Sequence, residues 1–282
     1  MIDLWEILRT ASSANASDIH LTAGIPPRMR VGGKLTAMSY PRLIPADTLE
    51  VVLAVMNEQQ RERFEERGAY TLSFQTAESG RCRCSAYRQG GNVSLALRLI
   101  PERLPEPEEL GIPDAVLQLG MGDSGLVLFA GTAGSGRTTA MASVIREINR
   151  RRQVHVVTLE DPVEFLHGHQ EAVVSQREKE TDFADFPEAM EAALREDADV
   201  IMTERLEDGS AVRAALKAAD AGCLVLAPVY ASGAEAARES LIGIFSEGER
   251  SGIRLHLADV LKAVVVLRRT DGADAPVVYQ VY

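Results

Sequence analysis

The 282-residue sequence holds only three cysteines, too few and too scattered to staple a fold with disulfides. Cys82 and Cys84, two apart in a strand-like segment, point the same way, but no second pair with zinc spacing accompanies them. Packing is therefore their expected role. An excess of positive charge is also missing: 30 Lys and Arg stand against 41 Asp and Glu, a net charge of −11. No field of the whole molecule draws it to DNA or acidic lipid, which argues against nucleic acid as a partner. No apolar run reaches the ~20 residues that span a bilayer. The N-terminus carries Asp3 and Glu6 among its apolar residues and lacks the basic lead and unbroken apolar core of a secretory signal. What is present is an ordinary share of hydrophobic (46%) and charged (25%) residues, in a chain long enough for two domains with separate cores.

The first hundred residues read as α+β. A short amphipathic helix is expected to Ala14, with Ile2, Trp5, Ile7 and Leu8 on its apolar side. Ser17–Leu21 and Pro27–Val31 alternate, and Gly32-Gly33 supplies a turn. Helical periodicity over Ala46 to about Arg67 rests on Leu49, Val52, Leu53 and Met56, followed by a charged stretch around Phe64. Three alternating runs, Tyr70–Gln75, Arg81–Tyr87 and Val93–Ile100, then form an antiparallel sheet, with turns at Glu78-Ser79-Gly80 and Gly90-Gly91. Arg81 and Arg83 share a face and Arg98 projects from a neighbouring strand. On these grounds alone they are either surface charge or an anion-facing patch.

Pro101–Pro107 is a proline-stiffened acidic connection. It divides the chain into 1–100, a linker at 101–119, and 120–282. Beyond it strands and helices alternate, the pattern of a parallel sheet flanked by helices. Within that alternation Gly131-Thr132-Ala133-Gly134-Ser135-Gly136-Arg137-Thr138-Thr139 follows the apolar run Gly125–Ala130 and precedes a helix. Glycines let successive N–H groups turn onto an anion, and the helix N-terminus behind them favours negative charge. The stretch meets the phosphate-loop pattern GxxxxGK[ST] except that the lysine is Arg137. A broad planar guanidinium does not replace a slender ammonium freely at a tight site. Thr138 still offers a hydroxyl to magnesium. The alternative is a glycine turn without a ligand. The arginines at 146, 150, 151 and 152 close the loop's helix, where cations complement its dipole, and are read as structural.

Thr158–Phe165 ends a buried strand with Glu160, Asp161 and Glu164. Beside a phosphate loop such acids can hold a magnesium ion's water shell or orient an attacking water; the alternative is a bare acidic loop. Together with Ala16–Leu21, Arg81-Cys82-Arg83, Arg98–Pro101, Gln176-Arg177-Glu178 and Ala193–Asp197, these stretches resemble the hexameric secretion and pilus ATPases, specifically the type IV pilus retraction group typified by PilT and PilU. The resemblance implies an α/β protein: an N-terminal PAS-like α+β domain, then a RecA-like P-loop domain with a parallel-core sheet, in a cytoplasmic ring of six with nucleotide between the two domains. It implies ATP or ADP and Mg2+ as cofactors, cradled by Gly131, Gly134, Ser135, Gly136, Arg137, Thr138 and Thr139. Arg81, Arg83 and Arg98 match arginines that approach the phosphates, Glu160 and Glu164 match the acids of the Asp box, and Thr138 and Glu160 stand at the magnesium. The implied partners are copies of itself or active paralogues in a mixed ring, and the pilus platform protein at the inner membrane face.

The chain departs from that pattern in four more places. The family's second acidic strand ends in glycine and a catalytic glutamate; aligned without gaps, Glu204 falls on the glycine and Arg205 on the glutamate. One residue of shift at a strand end exchanges faces, so Glu204 is expected to point away and Arg205 inward. A local slip would restore Glu204. The family's two His-box histidines are replaced by Cys223 and Tyr230, and neither supplies imidazole's donor and acceptor nitrogens. His167, near the acids, reads as a lone surface residue. The sequence given ends at Tyr282, before the Ala-Ile-Arg-Asn-Leu-Ile-Arg-Glu element associated with retraction, which speaks against a self-sufficient motor. The expected function is a nucleotide-binding, hydrolysis-impaired ring subunit with a regulatory or structural role. The alternative is an unconventional retraction ATPase driving twitching motility with Glu204 as base.

Overall fold

The computed structural model describes residues 3–76, 80–100, 103–269 and 277–282. The chain forms two compact units, residues 1–102 and 103–282. The first runs α1 (Leu4–Ser13), β1 (Asp18–Thr22), β2 (Arg28–Val31), β3 (Lys34–Ala37), α2 (Pro45–Val55), α3 (Glu58–Arg67), β4 (Ala69–Thr76), β5 (Gly80–Gln89) and β6 (Asn92–Ile100). Its strands form one antiparallel sheet in the order β3-β2-β1-β6-β5-β4. Alternation divides the faces: Ile19, Leu21, Cys82, Cys84 and Ala86 turn into the core with Leu4, Ile7 and Leu8 of α1 and Val51 and Val52 of α2. Asp18, His20, Arg81 and Arg83 take the other face. Both cysteines pack as expected, and burial pushes their thiols up, Cys84 to about 12.

Two expectations need correcting here. Trp5 does not lie in the core but stays 43% exposed, edge-on to Phe74 at 6.0 Å, while Leu4 and Ala11 complete the buried side. Ile2, Glu78 and Ser79, and Pro101 and Glu102 of the proline connection, lie outside the described residues. The helix expected from Ala46 to about Arg67 is two helices. Met56 is extended, and Asn57 restarts the helix by exchanging side chain–backbone hydrogen bonds with Gln60, at 2.9 and 3.0 Å. A strong local cap overrides periodicity that would have continued. Leu49 and Leu53 accordingly turn outward, and Val51 and Val52 are the buried pair.

The second unit contains α4 (Asp114–Leu117), a 3-10 turn (Gln118–Met121), β7 (Gly125–Ala130), α5 (Arg137–Arg151), β8 (His155–Glu160), β9 (Val173–Glu178), α6 (Phe186–Arg195), β10 (Val200–Thr203), α7 (Gly209–Asp220), β11 (Leu224–Val229), α8 (Ala234–Gly243), α9 (Glu247–Val260), β12 (Leu261–Arg269) and β13 (Val277–Val281). Its sheet, ordered β13-β12-β7-β11-β10-β8-β9, is parallel except for the antiparallel edge pair β12-β13. The whole is therefore α/β with mixed sheets. Met141, Val144, Ile145 and Ile148 of α5 pack on Val127, Phe129, Val156 and Met202. Helices α6 to α9 cover the opposite face over Leu128, Val157, Ile201 and Val225. The near-continuous burial of β7, β8, β10 and β11 is what a parallel sheet covered on both faces requires.

Ile112, Val116 and Leu117 join the α5 core, so much of the stretch expected as linker, 101–119, is built into the second unit. The arginines of α5 fasten it. Arg146 donates to Leu104 O (3.0 Å) and pairs with Glu106 (3.6 Å), Arg150 pairs with Glu106 (3.3 Å), and Arg152 donates to the carbonyls of Gly120 and Gly122 (2.9 Å each). Arg151 pairs with Glu147 one turn back, at 2.6 Å. The cluster is structural. Among the described residues no helix is long and apolar enough to cross a membrane.

Candidate functional site

The glycine loop leaves the carboxyl end of β7, where parallel sheets place their ligands. The pairing Val229↔Ala130 sets the end of β11 beside it, and the Gly131 N–H donates to Val229 O at 3.1 Å. A Cβ on Gly131 would lie 2.3 Å from Ser135 Oγ and 2.9 Å from Leu267 O, and Gly134 and Gly136 hold φ of 74° and 93°, conformations that favour glycine. Helix α5 starts at Arg137 without a side-chain cap, which leaves the first-turn N–H groups, including those of Thr138 and Thr139, free for an anion. Two further polar atoms, Ser135 Oγ and Arg137 Nη1, are buried without a hydrogen-bond partner. Unsatisfied buried groups converging on an uncapped helix start fit a phosphate. The Arg137 guanidinium lies over the Tyr230 ring, 3.7 Å from its centroid.

The acids come from the tips of β8 and β10. Glu160 is 3% exposed; its Oε1 accepts from Thr158 Oγ1 (2.6 Å) and Gln176 Nε2 (3.2 Å), and its Oε2 from the Glu164 N–H (3.4 Å). Burial raises its pKa to about 7 against those hydrogen bonds, with help from the Glu164 charge. Both Glu160 oxygens are thus engaged in hydrogen bonds within the chain. Among the described residues no cluster of three or more His, Cys, Asp or Glu could hold a metal ion.

Glu204 departs from expectation. Strand β10 ends at Thr203, and alternation fails beyond it because Thr203 Oγ1 donates to Arg205 O (3.1 Å) and accepts from Arg205 N, bending the chain. The Glu204 carboxylate accepts a hydrogen bond from the Asp161 N–H and lies in the field of Glu160 and Glu164. Burial first, then those like charges, push its pKa up to about 8. Arg205 instead pairs with the Asp161 carboxylate at 3.1 Å and with Glu207 at 3.5 Å. Glu204, not Arg205, joins Glu160 and Glu164, and with Leu206, Pro228, Tyr230, Leu241 and Ile244 it lines a cavity of about 260 Å³.

In the first unit, register draws Arg30, Asp18, Arg98 and Arg83 into one row across β2, β1, β6 and β5. Arg98 donates to Asp18 at 3.0 Å and Arg30 lies 3.8 Å from it. Burial works to raise the Asp18 carboxyl, but hydrogen bonds from Ser17 and Arg98 and the charges of Arg98 and Arg30 outweigh it and hold the pKa below the usual range. Asp18, Arg83, Ser85 and Arg98 line a shallow cleft of about 210 Å³. Of the three expected arginines, Arg83 and Arg98 meet there, and Arg81 stands two register rows further along, opposite Ile100.

Residues 2–269 match the family model described as type II/IV secretion system protein. The chain belongs to that family. Within it, the chain is 33% identical to the type IV pilus retraction ATPase PilT of Pseudomonas aeruginosa over 94% of its own length and 77% of the relative's. It is 35% identical to the type IV pilus ATPase PilU of the same organism, over 94% and 69%. A crystal structure of the pilus retraction motor PilT with bound ADP superposes with a TM-score of 0.94 at 36% identity, covering 100% of this chain and 83% of that one.

Three features of this secretion ATPase relative escaped the sequence. Gln176 is the partner of Glu160, because the parallel pairing of β8 and β9 sets Gln176 opposite Thr158; only that register reveals it. His167 is not a lone surface residue. Burial, with Arg146 adding its charge, lowers its pKa to about 4, and its backbone N–H donates to Gln176 Oε1 at 2.7 Å. Tyr230 is the third, brought to Arg137 by β11 lying next to β7.

Proposed function

We propose that this chain is a PilT/PilU-like, nucleotide-binding subunit of the type IV pilus machinery, cytoplasmic and ring-forming, in which ATP hydrolysis is impaired. It carries a PAS-like N-terminal domain followed in the chain by a RecA-like phosphate-loop domain. The observation behind the reading is a contrast within one site. The phosphate loop keeps its glycines, with Arg137 in place of lysine, and is uncapped with two buried polar atoms that lack partners, while Glu204, the acid that joins Glu160 and Glu164, is held by the Asp161 N–H with its pKa pushed up to about 8 by burial. A carboxyl that already carries its proton cannot take one from water, and losing a positioned base typically removes ~10² to 10⁴ in rate.

Residues 131–139 would hold ADP or ATP phosphates, and Thr138 would hold Mg2+, whose chemistry when bound is to neutralise charge on the phosphates. Arg83 and Arg98, and with them Arg81, are proposed for the phosphate role the family gives these arginines. Relatives in a mixed or homomeric ring of six, and the platform protein at the membrane, are the proposed partners.

Titration calorimetry with MgADP and MgATP beside steady-state phosphate release tests the reading. The expected result is binding heat with release near background. Absence of heat at millimolar nucleotide would overturn nucleotide binding. Robust release abolished by Glu204→Gln would show instead a working ATPase with Glu204 as base.

A further inference from the structure

Resting on the nucleotide-binding reading, we propose that Tyr230 is the positioning residue that makes Arg137 a working phosphate ligand, so that two departures from the family pattern, the missing lysine and the missing histidine, form one compensated pair. The ring and the guanidinium are in contact, 3.7 Å from ring centroid to the guanidinium carbon. Their meeting follows from the fold: Val229 pairs with Ala130, so the next residue on each strand is Tyr230 on one side and the first loop glycine on the other.

A guanidinium has two ways of being held, and they do not compete. Its flat face takes an aromatic ring, whereas its N–H groups point outward in the plane, where phosphate oxygens are bound. In this structure the face is taken and an in-plane nitrogen, Nη1, is buried with no partner. An unmet buried donor is destabilising, and a ligand that accepts from it relieves that cost. Tyr230 thus fixes the long, otherwise mobile arginine side chain with its open edge available. A lysine needs no such backstop because its ammonium presents donors in three rotatable directions. Tyr230 is itself 61% exposed, so its removal empties no core and the effect of changing it is read on binding rather than on folding.

The test is calorimetric affinity for MgADP and for inorganic pyrophosphate in the full chain, for Tyr230→Phe, Tyr230→Ala, Arg137→Ala and the Tyr230→Ala, Arg137→Ala double variant, with urea midpoints as a folding control. Tyr230→Phe is expected within about twofold of the parent, and Tyr230→Ala weaker by roughly 3- to 30-fold for both ligands, the range of such contacts. In the Arg137→Ala background Tyr230→Ala is expected to change nothing further, because the ring acts only through that arginine. Equal affinity of Tyr230→Ala and parent, additive losses in the double variant, or tighter binding once the ring is removed would each overturn the proposal while leaving nucleotide binding standing. A parent chain that binds neither ligand would remove the reading on which it rests.

Discussion

Replacing Glu204 with glutamine is expected to change how stability depends on pH, by an amount that the acid cluster sets. Glu204 is raised from 4.5 to about 8 and Glu160 from 4.5 to about 7. Between about pH 5 and pH 7 the folded chain therefore keeps two protons that the unfolded chain has released. Each such proton lowers unfolding free energy by about 1.4 kcal/mol per pH unit. The sign follows: the contribution is fully present below the unfolded values near 4.5 and is lost as pH rises through 7 and then 8. The pair together gives a slope of roughly −2.7 kcal/mol per unit at most. Glutamine at 204 removes one proton outright, still accepts from the Asp161 N–H through its carbonyl, and relieves Glu160 of a neighbouring charge. The slope should fall to about half or less, the variant matching the parent near pH 4.5 and exceeding it by ~5 kcal/mol at pH 8.5, since one proton held from 4.5 to about 8 is worth about 1.4 kcal/mol per pH unit. Urea unfolding followed by far-UV circular dichroism at pH steps from 5 to 8.5 should then show a raised midpoint at the alkaline end. Parallel midpoint curves for parent and variant, or a variant less stable at pH 8.5, would refute the assignment of Glu204 as a buried, protonated acid.

Two further outcomes are expected. Gly131→Ala should abolish measurable MgADP binding in calorimetry, because its Cβ would meet Ser135 Oγ at 2.3 Å and the Leu267 carbonyl at 2.9 Å and the loop must open; unaltered affinity would contradict the described loop. Gln176→Ala removes donors to Glu160 and Phe165 O and the acceptor of the His167 N–H. It should be destabilising by ~1–3 kcal/mol in urea unfolding and raise the pKa of Glu160 further, as read by carboxyl NMR titration.

What was legible in the sequence was what rests on local chemistry. The glycine loop declared itself because positive-φ conformations such as those of Gly134 and Gly136 favour glycine, and the alternation of apolar strands and helices from Gly125 onward declared a parallel sheet. Strand β9 and helices α8 and α9 were not anticipated: Val173 at the sheet edge is exposed, and α8 and α9 carry many charged residues around a few buried ones, Leu241, Ile253 and Leu257 among them. Arginines 146, 150 and 152, at the C-terminal end of α5, read as structural from the sequence, and the segment they fasten emerges only with the fold.

The residues by themselves determined the phosphate loop, the acids and the departures from the family pattern, since each is a statement about residue type and spacing. Tertiary structure decided what those departures mean. Counting along β10 turned Glu204 away, but the strand stops at Thr203 and hydrogen bonds to Thr203 bend the chain, so Glu204 joins Glu160 and Glu164 while Arg205 is drawn to Asp161. Arg137 and Tyr230, 93 positions apart, read as two separate losses until strand order laid β11 against β7 and stacked one on the other. Alternation is a property of a continuing strand and pairing a property of a sheet, and both are settled by long-range contacts that no local run of residues encodes.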